Sequence, residues 1–280
     1  MTRAWGNWNR TRSLAWMGLA WAVLAGVAGV ASVTGCASAG PGTEAGRETL
    51  TESDEGDVRK RARIRMELAL GYFEQGKTNI ALDEIKQVVA TDPSFPGAFA
   101  LRGLIFMRLN DMRQAEDSFR RAVALNPRDA DTQHNYGWLL CQQNRHEEAQ
   151  RAFEAAMSSV AYGGRAKTLM AQGICYARAG RLEEAERSLA RSFELDATNP
   201  VTGFNLANLL YSKGQHAKAQ FYIRKLNNSE YANAETLWLG VKVERKLNDT
   251  TAVRQLGEQL KKRFGQTREA VAYERGAFDE

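Results

Sequence analysis

Residues 96–129 read PGAFALRGLIFMRLNDMRQAEDSFRRAVALNPRD. Two apolar stripes run through them. Ala98, Leu101, Leu104 and Ile105 recur at helical three- and four-residue spacing, and Ala115, Phe119 and Ala122 do so again. Asn110-Asp111 separates the stripes as a turn. Leu125-Asn126-Pro127 ends the second, because proline cannot donate the helical hydrogen bond and disfavours helix at the residue before it. The stretch therefore predicts a helix A, a turn and a helix B. Gly103 and Ala115 are small, which lets the two backbones approach. One such hairpin cannot bury its apolar face alone, so neighbours must cover it.

The neighbours repeat the pattern. Ala81, Ala115, Ala149, Ala185, Ala219 and Ala252 follow one another at intervals of 34, 34, 36, 34 and 33 residues. Twelve residues before each stands a small residue: Ala69, Gly103, Gly137, Gly173, Ala207 and Gly240. Val88 and Ala122 then follow the first two alanines by seven residues, and Pro93 and Pro127 follow them by twelve. This series resembles the tetratricopeptide repeat. The resemblance implies an all-α, right-handed solenoid of about six helix pairs, over residues 62–95, 96–129, 130–165, 166–199, 200–232 and 233–266. The last pair, degenerate and carrying Trp238, Leu239, Val243 and Leu256, is expected to be a polar-faced cap, and the tail from Gln266 to add a short helix or fray. In such repeats the second, fifth, ninth and twelfth residues of helix A tend to face a concave groove. Counting places Met66, Leu70, Phe73, Leu104, Met107, His134, Trp138, Met170, Phe204 and Tyr211 there. These residue types are the ones interfaces use, and the groove they imply suits a helix or an extended peptide from a protein partner.

The first 35 residues read as a targeting device. Arg3, Arg10 and Arg12 precede an apolar run from Leu14 to Val33. A run of ~20 apolar residues is long enough to span a bilayer. Its Gly-Ala texture and the Val33-Thr34-Gly35-Cys36 ending fit cleavage better, and that ending resembles the bacterial lipobox. The resemblance implies acylation of Cys36, cleavage before it, and anchoring on the membrane; an ordinary signal peptide with an incidental cysteine is the alternative. Ala37 stands where an inner-membrane retention signal would have Asp, which favours the periplasmic face of the outer membrane. Residues 36–57 are polar, with six acids against Arg47, and read as a flexible tether to a helical domain over residues 58–280.

Charge and composition exclude several classes. The chain has 38 Lys and Arg against 33 Asp and Glu; without the three N-terminal arginines 35 basic residues remain, a net charge near +2. That balance, with no arginine-rich arm, points away from nucleic acid. His134, His146 and His216 lie in different units and show no metal spacing. His146 and His216 sit at turns and read as solvated, while His134 reads as a groove residue or a capped surface histidine. No catalytic constellation emerges, so no enzyme activity, cofactor, metal or small-molecule substrate is expected. Cys141 and Cys175 remain after Cys36, and an even remainder in an oxidising compartment invites a disulfide. They stand twelfth and tenth in adjacent A helices, where they could meet across the seam or stay as two buried thiols.

Further matches go beyond the generic repeat. Asn135-Tyr136-Gly137-Trp138-Leu139-Leu140-Cys141 is followed by a two-residue expansion around Ala161-Tyr162-Gly163-Gly164, then by Gly173-Ile174-Cys175 and Thr236-Leu237-Trp238-Leu239. This ordered set resembles the PilF/PilW family of type IV pilus biogenesis lipoproteins. The resemblance implies a pilotin role: helping the type IV pilus secretin to reach the outer membrane and multimerise there, or stabilising pili with other pilus-assembly proteins. A general envelope adaptor that recruits peptidoglycan enzymes or outer-membrane assembly proteins would need the repeats alone.

Overall fold

The computed structural model describes residues 56–278; the signal segment, Cys36 and nearly all of the expected tether lie outside them. Thirteen α-helices and no strand occur among the described residues. They form six antiparallel pairs: α1 (Asp57–Glu74) with α2 (Thr78–Thr91), α3 (Pro96–Arg108) with α4 (Met112–Leu125), and α5 (Ala130–Gln142) with α6 (His146–Ala156). Then come α7 (Arg165–Arg178) with α8 (Leu182–Leu195), α9 (Pro200–Ser212) with α10 (His216–Asn227), and α11 (Ala234–Lys246) with α12 (Thr250–Phe264). A final short helix, α13, covers Arg268–Arg275. Asp57, counted with the tether, opens α1 instead, where its carboxylate complements the positive helix end.

A backbone requirement repeats with the hairpins. In every A-to-B turn one residue takes the left-handed conformation: Gly76, Asn110, Asn144, Gly180, Gly214 and Asn248, with φ between 62° and 76°. Only glycine, or asparagine at modest cost, occupies that region readily. This is why each turn carries one of the two.

The small residues of the A helices receive the large residues of the B helices. A Cβ on Gly103 would lie 2.8 Å from the Phe119 ring, one on Gly137 2.8 Å from Phe153, and one on Gly173 2.7 Å from Leu189. Phe119, Phe153 and Leu189 each stand four residues after the repeating alanine and are fully buried, as are Ile85 and Ile223 at the equivalent places. Each A helix also packs against the preceding B helix and the A helix before that, so the apolar interior continues along the stack.

The last pair departs from the expected polar cap. Eight residues of α11 are buried, among them Trp238 and Glu244. The tail covers Leu237, Trp238 and Val241: α13 packs on α11 and α12, and Phe278 stacks on Trp238 at 5.6 Å between ring centres. Glu244, also buried, accepts bonds from Arg224 Nε at 2.6 Å and Gln220 Nε2 at 2.8 Å across the seam with α10. No helix among the described residues is long and apolar enough to cross a membrane.

Candidate protein-binding groove and cysteine pair

Helix A of each unit carries the groove positions. Leu70 is 40% exposed. Met66, Phe73, Leu104, Met107, Trp138, Phe204 and Tyr211 are half-buried, each resting on the core of its own unit while keeping an outer edge in solvent. Two candidates leave the set. His134 and Met170 are 2% and 6% exposed and offer no surface to a partner. Met170 is drawn into the core that includes Leu189 and Leu206.

His134 is neither a groove residue nor a capped surface histidine. Its Nδ1 lies 2.9 Å from Thr168 Oγ1, which lies 3.1 Å from the Tyr162 hydroxyl. The two-residue expansion before α7 thus folds Tyr162 onto a buried polar chain. Burial, helped by the Lys167 charge, pushes the His134 imidazole down from 6.5 to about 3. The folded state therefore keeps it neutral while the unfolded chain takes up a proton below pH 6.5. Between about pH 6.5 and 4.5 the fold should lose on the order of 2.5 kcal/mol at this residue, with no contribution above that window. Urea titrations at both ends of the window should show this loss in the wild type and its absence in His134→Asn. Parallel pH dependence in the two proteins would refute the assignment.

The remaining histidines are likewise less solvated than their turn positions suggested, both being half-buried. His216 lies beside the Tyr211 ring at 5.3 Å. The His146 Nδ1, at the start of α6, is 3.5 Å from Cys175 Sγ on α7. Cys141 and Cys175, both fully buried, have Cα atoms 5.7 Å apart with their sulfurs in contact. That separation lies inside the ~4.4–6.8 Å range a disulfide requires. Cys141, His146 and Cys175 bring three potential ligand atoms within 4.8 Å of one another. No sequence spacing announced this cluster, since its members come from three helices; two bridged sulfurs would leave His146 alone as a donor.

Residue counting also missed the cations of the groove. Arg108 lies 3.5 Å from the centre of the Phe73 ring, Arg178 5.2 Å from Trp138, and Lys242 5.8 Å from Tyr211. Each cation comes from the A helix of the second, fourth or sixth pair and each aromatic from the A helix before it. Arg108 also donates to the Phe73 carbonyl at the end of α1. Arg108 stands one residue past the counted Met107 and Arg178 one residue past Ala177, the twelfth place of its unit, while counting named no position in the last pair, which holds Lys242.

Comparison with known proteins places this geometry. Family profiles described as tetratricopeptide repeat match residues 66–131 and 106–173. The type IV pilus assembly protein PilF of Pseudomonas aeruginosa is 27% identical over 234 residues, spanning 83% of this chain and 89% of that protein. The solved structure of P. aeruginosa PilF superposes with a TM-score of 0.71 at 24% identity, over 79% of this chain and all of the other. That of PilW, described as a widely conserved type IV pilus biogenesis factor, gives 0.72 at 28% identity, over 78% of this chain and 99% of the other. With the repeat in its sequence, the helix pairs in its fold and a likeness to PilF along most of both chains, this protein is homologous to PilF and is built, like PilF and PilW, as a tetratricopeptide-repeat solenoid.

Proposed function

We propose that the protein is an outer-membrane lipoprotein that serves type IV pilus biogenesis by binding the secretin and assisting its localisation and multimerisation. The observation that carries the reading is the likeness to PilF across 83% of this chain and 89% of that protein. The half-exposed apolar row of Leu70, Phe73, Leu104 and Met107 supports a binding role, since an isolated solenoid gains nothing by exposing it. The protein acts by contact and catalyses nothing. Acyl chains on Cys36 hold it at the periplasmic face, at ~0.8 kcal/mol per buried methylene. In that compartment Cys141 and Cys175 are bridged.

Deleting the gene and restoring it with wild type or Cys36→Ala tests the reading. Wild type should restore secretin multimers in outer-membrane fractions and incorporate a palmitate analogue. Cys36→Ala should stay unlabelled, remain unprocessed or mislocalised, and restore few or none. Equal labelling of the two would defeat the anchor, and unchanged multimers in the deletion strain would defeat the pilus role.

A further inference from the structure

Resting on the groove reading above, we propose that the concave face selects an acidic, extended segment of the partner protein, with carboxylates received by Arg108, Arg178 and Lys242. The three cations share a setting. Each lies over the ring of an aromatic residue that counting assigns to the groove, one unit back along the stack. None has a carboxylate partner among the described residues. The cations at the helix turns contrast with them: Arg145 pairs with Glu116 and Glu148, Arg181 with Glu147 and Glu184, and Lys213 with Glu183 and Glu186. These three turn cations are thus neutralised by neighbouring acids, whereas among the described residues the groove cations are not.

A ring face under a cation favours the charge, but it satisfies none of its N–H donors. Arg178 keeps its planar fork available for a carboxylate, and Arg108 keeps what the Phe73 carbonyl does not use. Burial already pushes Arg108 and Lys242 below their ordinary values, a cost that an arriving carboxylate would relieve.

Spacing decides the form of the occupant. The cations belong to α3, α7 and α11, so two helix widths separate successive ones. At about 8–10 Å per helix that is roughly 16–20 Å. Extended chain rises ~3.3 Å per residue, so acids five or six residues apart would meet successive cations. A helix rises 1.5 Å per residue and would need about 25 residues in one straight rod to reach all three. An extended segment of about a dozen residues does the same and can bend with the row of helices.

Fluorescence anisotropy with purified full-length protein in detergent tests this. The probes are a labelled peptide with three glutamates at six-residue spacing and leucines between them, and its glutamine counterpart. The glutamate peptide should bind about tenfold more tightly at low salt, an advantage that shrinks as the Debye length falls to ~3 Å near 1 M. Arg178→Gln and Lys242→Gln should each remove several-fold of that advantage at unchanged melting temperature, while Arg178→Lys retains part of it. Arg108 is left intact because it also caps α1. Equal affinity for the two peptides, or no binding of either at about 1 mM, would overturn acidic selection. In the first case the groove itself still stands if Phe73→Glu abolishes both, and falls if it changes neither. Tighter binding of a peptide copying residues 44–57, with six acids of its own, would assign the face to this chain's own segment and overturn the partner assignment.

Discussion

Replacing Arg224 with leucine is expected to lower the unfolding free energy by about 3 kcal/mol. The reason is Glu244, whose side chain is 1% exposed and whose two oxygens are held by Arg224 at 2.6 and 2.9 Å. Without the guanidinium, the carboxylate stays in the interior of the last pair with Gln220 as its remaining donor. The figure sits at the low end for a broken buried pair because Arg224 is half in water already. Urea denaturation of Arg224→Leu, Glu244→Leu and the double variant separates the two costs. The double variant should recover most of the stability, since replacing both partners by apolar groups removes the unpaired charge. A loss below about 1 kcal/mol in the single variant would mean that water reaches Glu244.

Replacing both Cys141 and Cys175 with serine is expected to cost about 2–4 kcal/mol relative to the bridged protein. The two lie 34 residues apart in sequence, so a bridge closes one whole unit and restricts the unfolded chain accordingly. Alkylation of protein from the periplasm without reductant, followed by peptide mass spectrometry, should recover a linked pair. Two freely alkylated thiols, with melting unaffected by reductant, would contradict it.

The fold was legible because its period is written in residues with strict steric roles. Gly103, Gly137 and Gly173 stand where a Cβ would strike the facing helix. The turn residues Asn110 and Gly180 stand where φ is positive, a demand that few residue types meet. The groove was legible in part. Counting along helix A selects a face, but it cannot tell a side chain that reaches solvent from one that a neighbouring unit covers. Met66 and Met170 both stand fifth in their units; the first, in the opening pair, is half-buried, and the second is drawn into a core with the next unit's Leu206 and Leu209. His134 was misplaced for a related reason. Its partner Tyr162 comes from the expansion before α7, whose path no periodic pattern fixes. The burial of Trp238 depended on Phe278, which lies beyond the last repeat.

The secretin contact proposed above is assigned to the apolar face of the first A helices. Its most direct measurement is secretin multimerisation in strains carrying Leu70→Glu, Phe73→Glu, Leu104→Glu or Met107→Glu, each paired with circular dichroism and melting of the purified variant. A charge at these half-exposed positions stays hydrated in the free protein but must be desolvated against a partner. At least one variant should keep wild-type helicity and melting while envelope extracts lose most of their secretin multimers. Normal multimers in every variant that folds like the wild type would contradict the claim.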